Sequence, residues 1–209
     1  DRSQWPELIK RPTRPLEDAV DAVRPIMDRV KDLGDQALRE LTRQYDGAEV
    51  SSIEVSSAEI YAAATELTGE LKDAIRVAAA NIRAFHSAQA EGTLRVETTP
   101  GVHCWRRSVP IQRVGLYVPG GTAPLFSTVL MLGIPARLAG CPEVVLCTPP
   151  RADGSVHPAI LFAANLVGVH RVFRVGGAQA IAAMTYGTDS VPQVSKIFGP
   201  GNQYVTAAK

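Results

Sequence analysis

The sequence predicts an α/β protein, a helical N-terminal region followed by a parallel-sheet domain, on three observations. The front half carries apolar residues at helical spacing, the back half alternates short β-rich runs with helical ones, and glycine-bearing turns close three of its four β-runs. The key run is Arg113-Val-Gly-Leu-Tyr-Val-Pro-Gly-Gly121. Val114, Leu116 and Val118 alternate as β-formers, Pro119 cannot donate to a sheet ladder, and the glycine pair permits a sharp turn. Thr122 to Gly140 is then apolar on a helical period, so the unit is strand, glycine turn, helix.

The chain divides into residues 1–92, helical; residues 93–112, a connecting β-hairpin; and residues 113–209, the sheet domain. Asp1 to Pro15 is expected to be an arm lying on another surface, anchored by Trp5, Leu8 and Ile9 among prolines and charges. Val20, Val23, Met27 and Val30 step by three and four, predicting a helix over 16–33 that stops at Gly34 and is kinked or restarted at Pro25. A second helix over 35–45 turns Ala37, Leu38 and Leu41 inward and ends at Asp46-Gly47. Ser56 with Glu59 forms a capping-box pattern opening a helix to Leu67. After Thr68-Gly69 a longer helix has Leu71, Ile75, Ala78, Ile82 and Phe85 as its inner row, with His86 beside it as a helix-end histidine.

Pro100-Gly101 suits a type II turn between two strand-like runs, hence a hairpin over 94–109 whose Val102, Cys104 and Trp105 cover neighbouring structure. Beyond the opening strand, 127–132 is helical and Pro135 marks a further turn or a kink. Strands follow over 143–147, 170–175 and 196–198, helices over 157–167, 177–186 and from Gln203 onward. Strand and helix alternating in this way require parallel pairing with crossovers.

A formal net charge of +1 over 209 residues gives no general attraction to nucleic acid, and Arg106-Arg107 fits a solvated strand edge. No apolar run reaches the roughly 18 residues of a membrane span, and no signal-peptide pattern opens the chain, which points to a cytoplasmic protein. Cys104, Cys141 and Cys147 are odd in number and set in or beside apolar segments, as reduced thiols are. His86, His103, His157 and His170 never fall at ligand spacing, so no metal site is expected from these residues.

The turns Pro119-Gly120-Gly121, Gly176-Gly177 and Gly199-Pro200-Gly201 fall on one edge of a parallel sheet, a rim of helix N-termini suited to an anionic or polar ligand such as a nucleotide. The dinucleotide fingerprint G-x-G-x-x-G is absent, and Thr148 stands where a ribose-binding carboxylate is usually found. Tyr117, Gln179 and Asn202 flank the turns; each can bind ribose, amide or nicotinamide groups, or satisfy local backbone groups. Cys147 has no neighbouring base and is assigned a structural role, and Glu143, Asp153 and Asp189 form no acid–base pair. No catalytic residue is identified.

Long blocks of this sequence resemble histidinol dehydrogenases: Val114-Gly-Leu-Tyr-Val-Pro-Gly-Gly, Ala123-Pro-Leu-Phe-Ser-Thr-Val-Leu-Met-Leu, Pro135-Ala-Arg-Leu-Ala-Gly-Cys, Val175-Gly-Gly-Ala-Gln-Ala-Ile-Ala-Ala and Ile197-Phe-Gly-Pro-Gly-Asn, with Gly34-Asp-Gln-Ala-Leu-Arg-Glu and Ala84-Phe-His in the front region. The resemblance implies a zinc- and NAD-dependent oxidation of L-histidinol through L-histidinal to L-histidine, in an intertwined homodimer. It implies an incomplete Rossmann-like domain, aldehyde-dehydrogenase-like in kind, and places the family's NAD-contacting residues on Tyr117, Gln179 and Asn202. Family members are about twice this length, and their zinc, substrate and acid–base residues lie in the later half. With Asp1 first and Lys209 inside a helix just begun, the expectation is an N-terminal half carrying the nucleotide side and inactive alone. The alternatives are a stand-alone nucleotide-binding or dimerisation module, or a related NAD-dependent amino-alcohol or polyol dehydrogenase.

Overall fold

A computed structural model describes residues 2–9, 16–121 and 123–209. In chain order these form α1 (Trp5–Leu8), α2 (Leu16–Leu33), α3 (Asp35–Asp46), α4 (Ser57–Ala62), α5 (Gly69–Ser87), β1 (Leu94–Thr99), β2 (Val102–Arg106), β3 (Arg113–Tyr117), α6 (Phe126–Leu138), β4 (Glu143–Thr148), α7 (Pro158–Leu166), β5 (Arg171–Arg174), α8 (Gly177–Tyr186), β6 (Lys196–Phe198) and α9 (Gln203–Ala208).

The four later strands pair in the order β5-β4-β3-β6, all parallel, as the alternation of runs required. Tyr117 stands opposite Cys147, and Leu116 lies between Leu146 and Phe198. The chain steps outward from β3 through β4 to β5, then returns to the far side of β3. Where the order reverses, the loops leaving β3 and β6 part and open a crevice at the strands' carboxyl ends.

Side-chain alternation divides the core between the two faces of the sheet. Leu116, Leu146 and Val172 pack with Ile75 of α5, Ile134 of α6 and Ile160 of α7. Tyr117, Val145, Cys147 and Phe173 pack with Leu38 of α3, Ile181 of α8 and Val205 of α9. A sheet buried on both faces explains why β4 is a continuous apolar run. The front helices join both layers: α2 lies on α8 and α9, while α5 lies on α6.

Several local expectations hold. Gly47 is left-handed at φ 66° and caps α3, and Ser56 with Glu59 makes both halves of the capping box before α4. Glu59 also receives the Arg174 guanidinium at 2.8 and 2.9 Å, tying that cap to β5. Others are corrected. The helix opened by Ser56 stops at Ala62 and tightens into a 3₁₀ turn, and Pro25 and Pro135 lie inside α2 and α6, so neither proline starts a new helix.

Phe85 is 67% exposed, whereas Ile75 of the same row is buried. Trp5, Leu8 and Ile9 are exposed; Asp1 and Lys10 to Pro15 of the expected arm lie outside the described residues. The hairpin pairs β1 with β2 around Gly101, at φ 82°, as expected. Every residue of both strands is exposed, so Val102, Cys104 and Trp105 do not cover neighbouring structure. The hairpin's contacts include the backbone pairing, the Gly101 N–H donated to Glu97 Oε1 at 2.7 Å and the ion pair of Arg106 with Glu91.

One element escaped the sequence reading. The Val55 N–H donates to the Val172 carbonyl at 2.8 Å and the Arg174 N–H to the Ile53 carbonyl at 2.9 Å, so residues 53–55 lie antiparallel along β5 and close that edge of the sheet. Ile53 and Val55 are buried on either side of Glu54, the alternation of a strand too short to stand out by itself.

Candidate functional site

At the carboxyl ends of the strands lies a cleft of about 640 Å³, and Tyr117, Gln179 and Asn202 all line it. Gly120, Gly121 and Gly177 of the first two glycine turns line it, and the third turn reaches it through Asn202. A Cβ on Gly120 or Gly176 would fall 2.6 or 2.5 Å from Pro149, so two of the corners close upon the loop after β4. The third corner crosses the end of β3: at Gly199, φ is 139° and a Cβ would lie 2.1 Å from the Tyr117 carbonyl oxygen. Only glycine fits both that angle and that approach.

Tyr117 is 3% exposed at the cleft floor, and its hydroxyl accepts the Gly177 N–H at 3.0 Å. That bond satisfies one of the free donors at the start of α8. Burial pushes the phenol up to about 12, against the opposing Gly177 hydrogen bond, with the charges of Asp46 and Cys147 adding to the rise. The hydroxyl therefore keeps its own proton as a donor at neutral pH.

Gln179, 2% exposed, folds back over Gly177, whose Cβ would lie 2.6 Å from its Oε1. Its Nε2 is buried without a hydrogen-bond partner. A buried amide donor left unpaired costs about 1–3 kcal/mol, which a ligand acceptor would offset.

Asn202 is solvent-exposed and caps α9: its Oδ1 accepts the N–H groups of Tyr204 at 3.1 Å and Val205 at 3.0 Å. Local backbone thus takes its oxygen, and its amide NH₂ is the end available to a ligand. Tyr204 and Tyr45 add half-exposed rings to the cleft wall.

Asp46 is the cleft residue that the sequence reading missed, having been taken only as the end of α3. Its Oδ2 is buried with no hydrogen-bond partner, and burial alone raises its carboxyl from 3.8 to about 6. The available signal was an acidic residue directly before a C-capping glycine, where a helix end disfavours negative charge.

A smaller cavity of about 360 Å³ adjoins the first across Pro119 to Gly121, with Arg151 and His157 in its wall. His157 caps α7, its Nδ1 accepting the Ala159 N–H at 3.1 Å. Cys147 is fully buried and burial holds its thiol far above the ordinary range, so it stays a protonated thiol at neutral pH. Glu143 is engaged by Arg113 and Arg171. Among the described residues, no group of three or more His, Cys, Asp or Glu side chains could hold a metal ion. No helix among them is long and apolar enough to cross a membrane.

The sequence profile of the histidinol dehydrogenase family matches residues 9–209. Histidinol dehydrogenase of Bacteroides fragilis strain YCH46 is 60% identical over 209 residues, covering all of this chain and 49% of that protein. The Xylella fastidiosa Temecula1 histidinol dehydrogenase is 55% identical over 210 residues, again covering all of this chain and 49% of the relative. The crystal structure of histidinol dehydrogenase from Elizabethkingia anophelis superimposes with a TM-score of 0.93 at 52% identity, over 99% of this chain and 48% of that one. The chain spans about half the length of the curated relatives it matches. On this match of sequence and fold, the chain belongs to the histidinol dehydrogenase family.

Proposed function

We propose that the cleft is the NAD-binding side of a histidinol dehydrogenase, which oxidises L-histidinol through L-histidinal to L-histidine. The observation that carries this reading is the convergence of Tyr117, Gln179 and Asn202 on one cleft, with the Gln179 Nε2 buried and unpartnered there. Strand order β5-β4-β3-β6 is that of the first half of a doubly wound dinucleotide-binding sheet, and the cleft sits where the order reverses. The sheet is therefore assigned as an incomplete Rossmann-like domain, with residues 1–92 as a helical clasp and 93–112 as the connecting hairpin.

NAD, when bound, supplies the hydride-accepting nicotinamide. The chain's own residues bind and orient it. Tyr117 donates its hydroxyl proton from the floor, Gln179 donates its amide, Asn202 presents its NH₂ at the rim, and the glycine corners let backbone N–H groups approach phosphate oxygens. The described residues do not assemble a zinc site, so zinc ligands, substrate-selecting groups and acid–base residues are assigned to the portion of family members that this chain does not cover.

The homodimer is assigned to apolar surface left uncovered here, Trp5, Leu8 and Ile9 at the start and Trp105 on the hairpin. Titration of the chain with NAD⁺ by calorimetry tests the nucleotide reading. Saturable binding, weakened roughly two- to tenfold by Gln179→Ala, is expected, since the lost amide bond is worth about 0.5–1.5 kcal/mol. Equal binding by both proteins, or none by the wild type, refutes it.

A further inference from the structure

We propose that Asp46 is the ribose-binding, coenzyme-discriminating residue of the cleft: its carboxylate accepts the hydroxyl pair of an unphosphorylated ribose and turns away a 2′-phosphorylated dinucleotide. The inference rests on the nucleotide reading above and adds to it the residue that sets which nucleotide enters.

A dinucleotide-binding sheet ordinarily carries an acidic residue at the end of its second strand, where it accepts hydrogen bonds from the ribose hydroxyls. Here the second strand, β4, ends in Thr148, which is buried, followed by Pro149 and Pro150. The carboxylate comes from elsewhere. Asp46, the last residue of α3, sets Oδ1 3.2 Å from the point a Gly176 Cβ would occupy, and that same point is 2.5 Å from Pro149. The front helices thus bring an acid to the junction of the β4 and β5 corners, at the place the sheet itself leaves without one.

Three features show that a ligand is wanted there. Asp46 Oδ2 is buried with no donor, and in the same cleft Gln179 Nε2 is buried with no acceptor. A ribose carries both kinds of group, hydroxyl hydrogens for the carboxylate and oxygens for the amide. Tyr45, adjoining Asp46 in the chain and lining the cleft, offers a ring for the attached base. Finally, among the described residues Asp46 is the only charged one lining the cleft. A 2′-phosphate placed at this corner would meet a carboxylate, with Arg151 in the wall of the adjoining cavity and not of this one, whereas ribose hydroxyls gain charge-assisted hydrogen bonds.

The test is a calorimetric titration of the wild-type chain, Asp46→Asn and Asp46→Ser with NAD⁺ and with NADP⁺, each variant first shown to melt cooperatively. The wild type is expected to prefer NAD⁺ by roughly tenfold or more, the scale of one charged hydrogen bond gained or lost. Both variants are expected to lose about tenfold in NAD⁺ affinity while holding or improving on NADP⁺, so that the preference collapses. If both bind NAD⁺ and keep the wild-type preference, the role of Asp46 is refuted and the nucleotide reading stands. If the wild type binds neither dinucleotide, both fall together.

Discussion

Without ligand, Asp46 should weaken the fold at neutral pH, and replacing it should strengthen the protein. Burial raises its carboxyl from 3.8 to about 6 with no hydrogen bond or cation opposing the rise. A native pKa above the unfolded one means that folding favours the protonated acid. Its contribution is fully present below about pH 4, is lost as the pH climbs through about 6, and stays lost above that. At about 1.4 kcal/mol per pKa unit the whole difference is roughly 3 kcal/mol, reduced to about 1–2 kcal/mol because the side chain is partly open to solvent. Asp46→Asn keeps the shape and removes the charge, so urea unfolding at pH 8 should show a stability gain of about 1–2 kcal/mol that shrinks toward zero near pH 4. Saturating NAD⁺ should reduce or reverse the gain, since it stabilises the wild type more. A variant no more stable than wild type at pH 8, or a difference that does not vary with pH, would refute the reasoning.

Two further outcomes follow from the geometry. Gly199→Ala places a methyl group 2.1 Å from the Tyr117 carbonyl at a φ of 139°, and should cost about 2–3 kcal/mol or more, read as a lower urea midpoint. Asp35 joins the start of α3 to the loop after α8, accepting the Ser190 N–H at 3.2 Å and the Ser190 hydroxyl at 2.5 Å. Burial pushes its carboxyl up, but hydrogen bonds from Ser190 and Thr188, with Arg39 nearby, outweigh that and hold it below the ordinary range. Asp35→Ala should therefore cost about 1.5–3 kcal/mol at pH 7, the scale of hydrogen bonds to a charged group. The loss should vanish as the pH falls through the native carboxyl's lowered pKa, so equal losses at pH 7 and pH 3 would contradict the assignment.

The parallel sheet and its corners were legible because strand, glycine and helix signals recur locally and in register. Tyr117, Gln179 and Asn202 could be placed on one ledge since carboxyl ends of parallel strands share a side, a rule of topology that needs no coordinates. Asp46 was not legible. It reaches the cleft only because α2 packs on α8 and α9 while α3 follows directly, and that placement depends on contacts far apart in sequence. The exposed hairpin misled for the opposite reason: Val102 and Trp105 carry the composition of a covering strand, yet nothing among the described residues lies beneath them. Phe85 keeps its helix's apolar period and yet stands exposed. Periodicity specifies which face is apolar, not how far the neighbour extends.

The strip formed by residues 53–55 gives the two borders of the sheet different fates. Along β5, main-chain groups are already engaged by that strip, so no additional strand can dock there. Along β6, a three-residue strand with Lys196 and Phe198 exposed, the outer row of amides and carbonyls has no strand partner among the described residues. Growth of the sheet is thereby polarised. A polypeptide pairing with the free border of β6 would lie next to the Gly199 corner and Asn202, and would carry its own side chains to the mouth of the cleft.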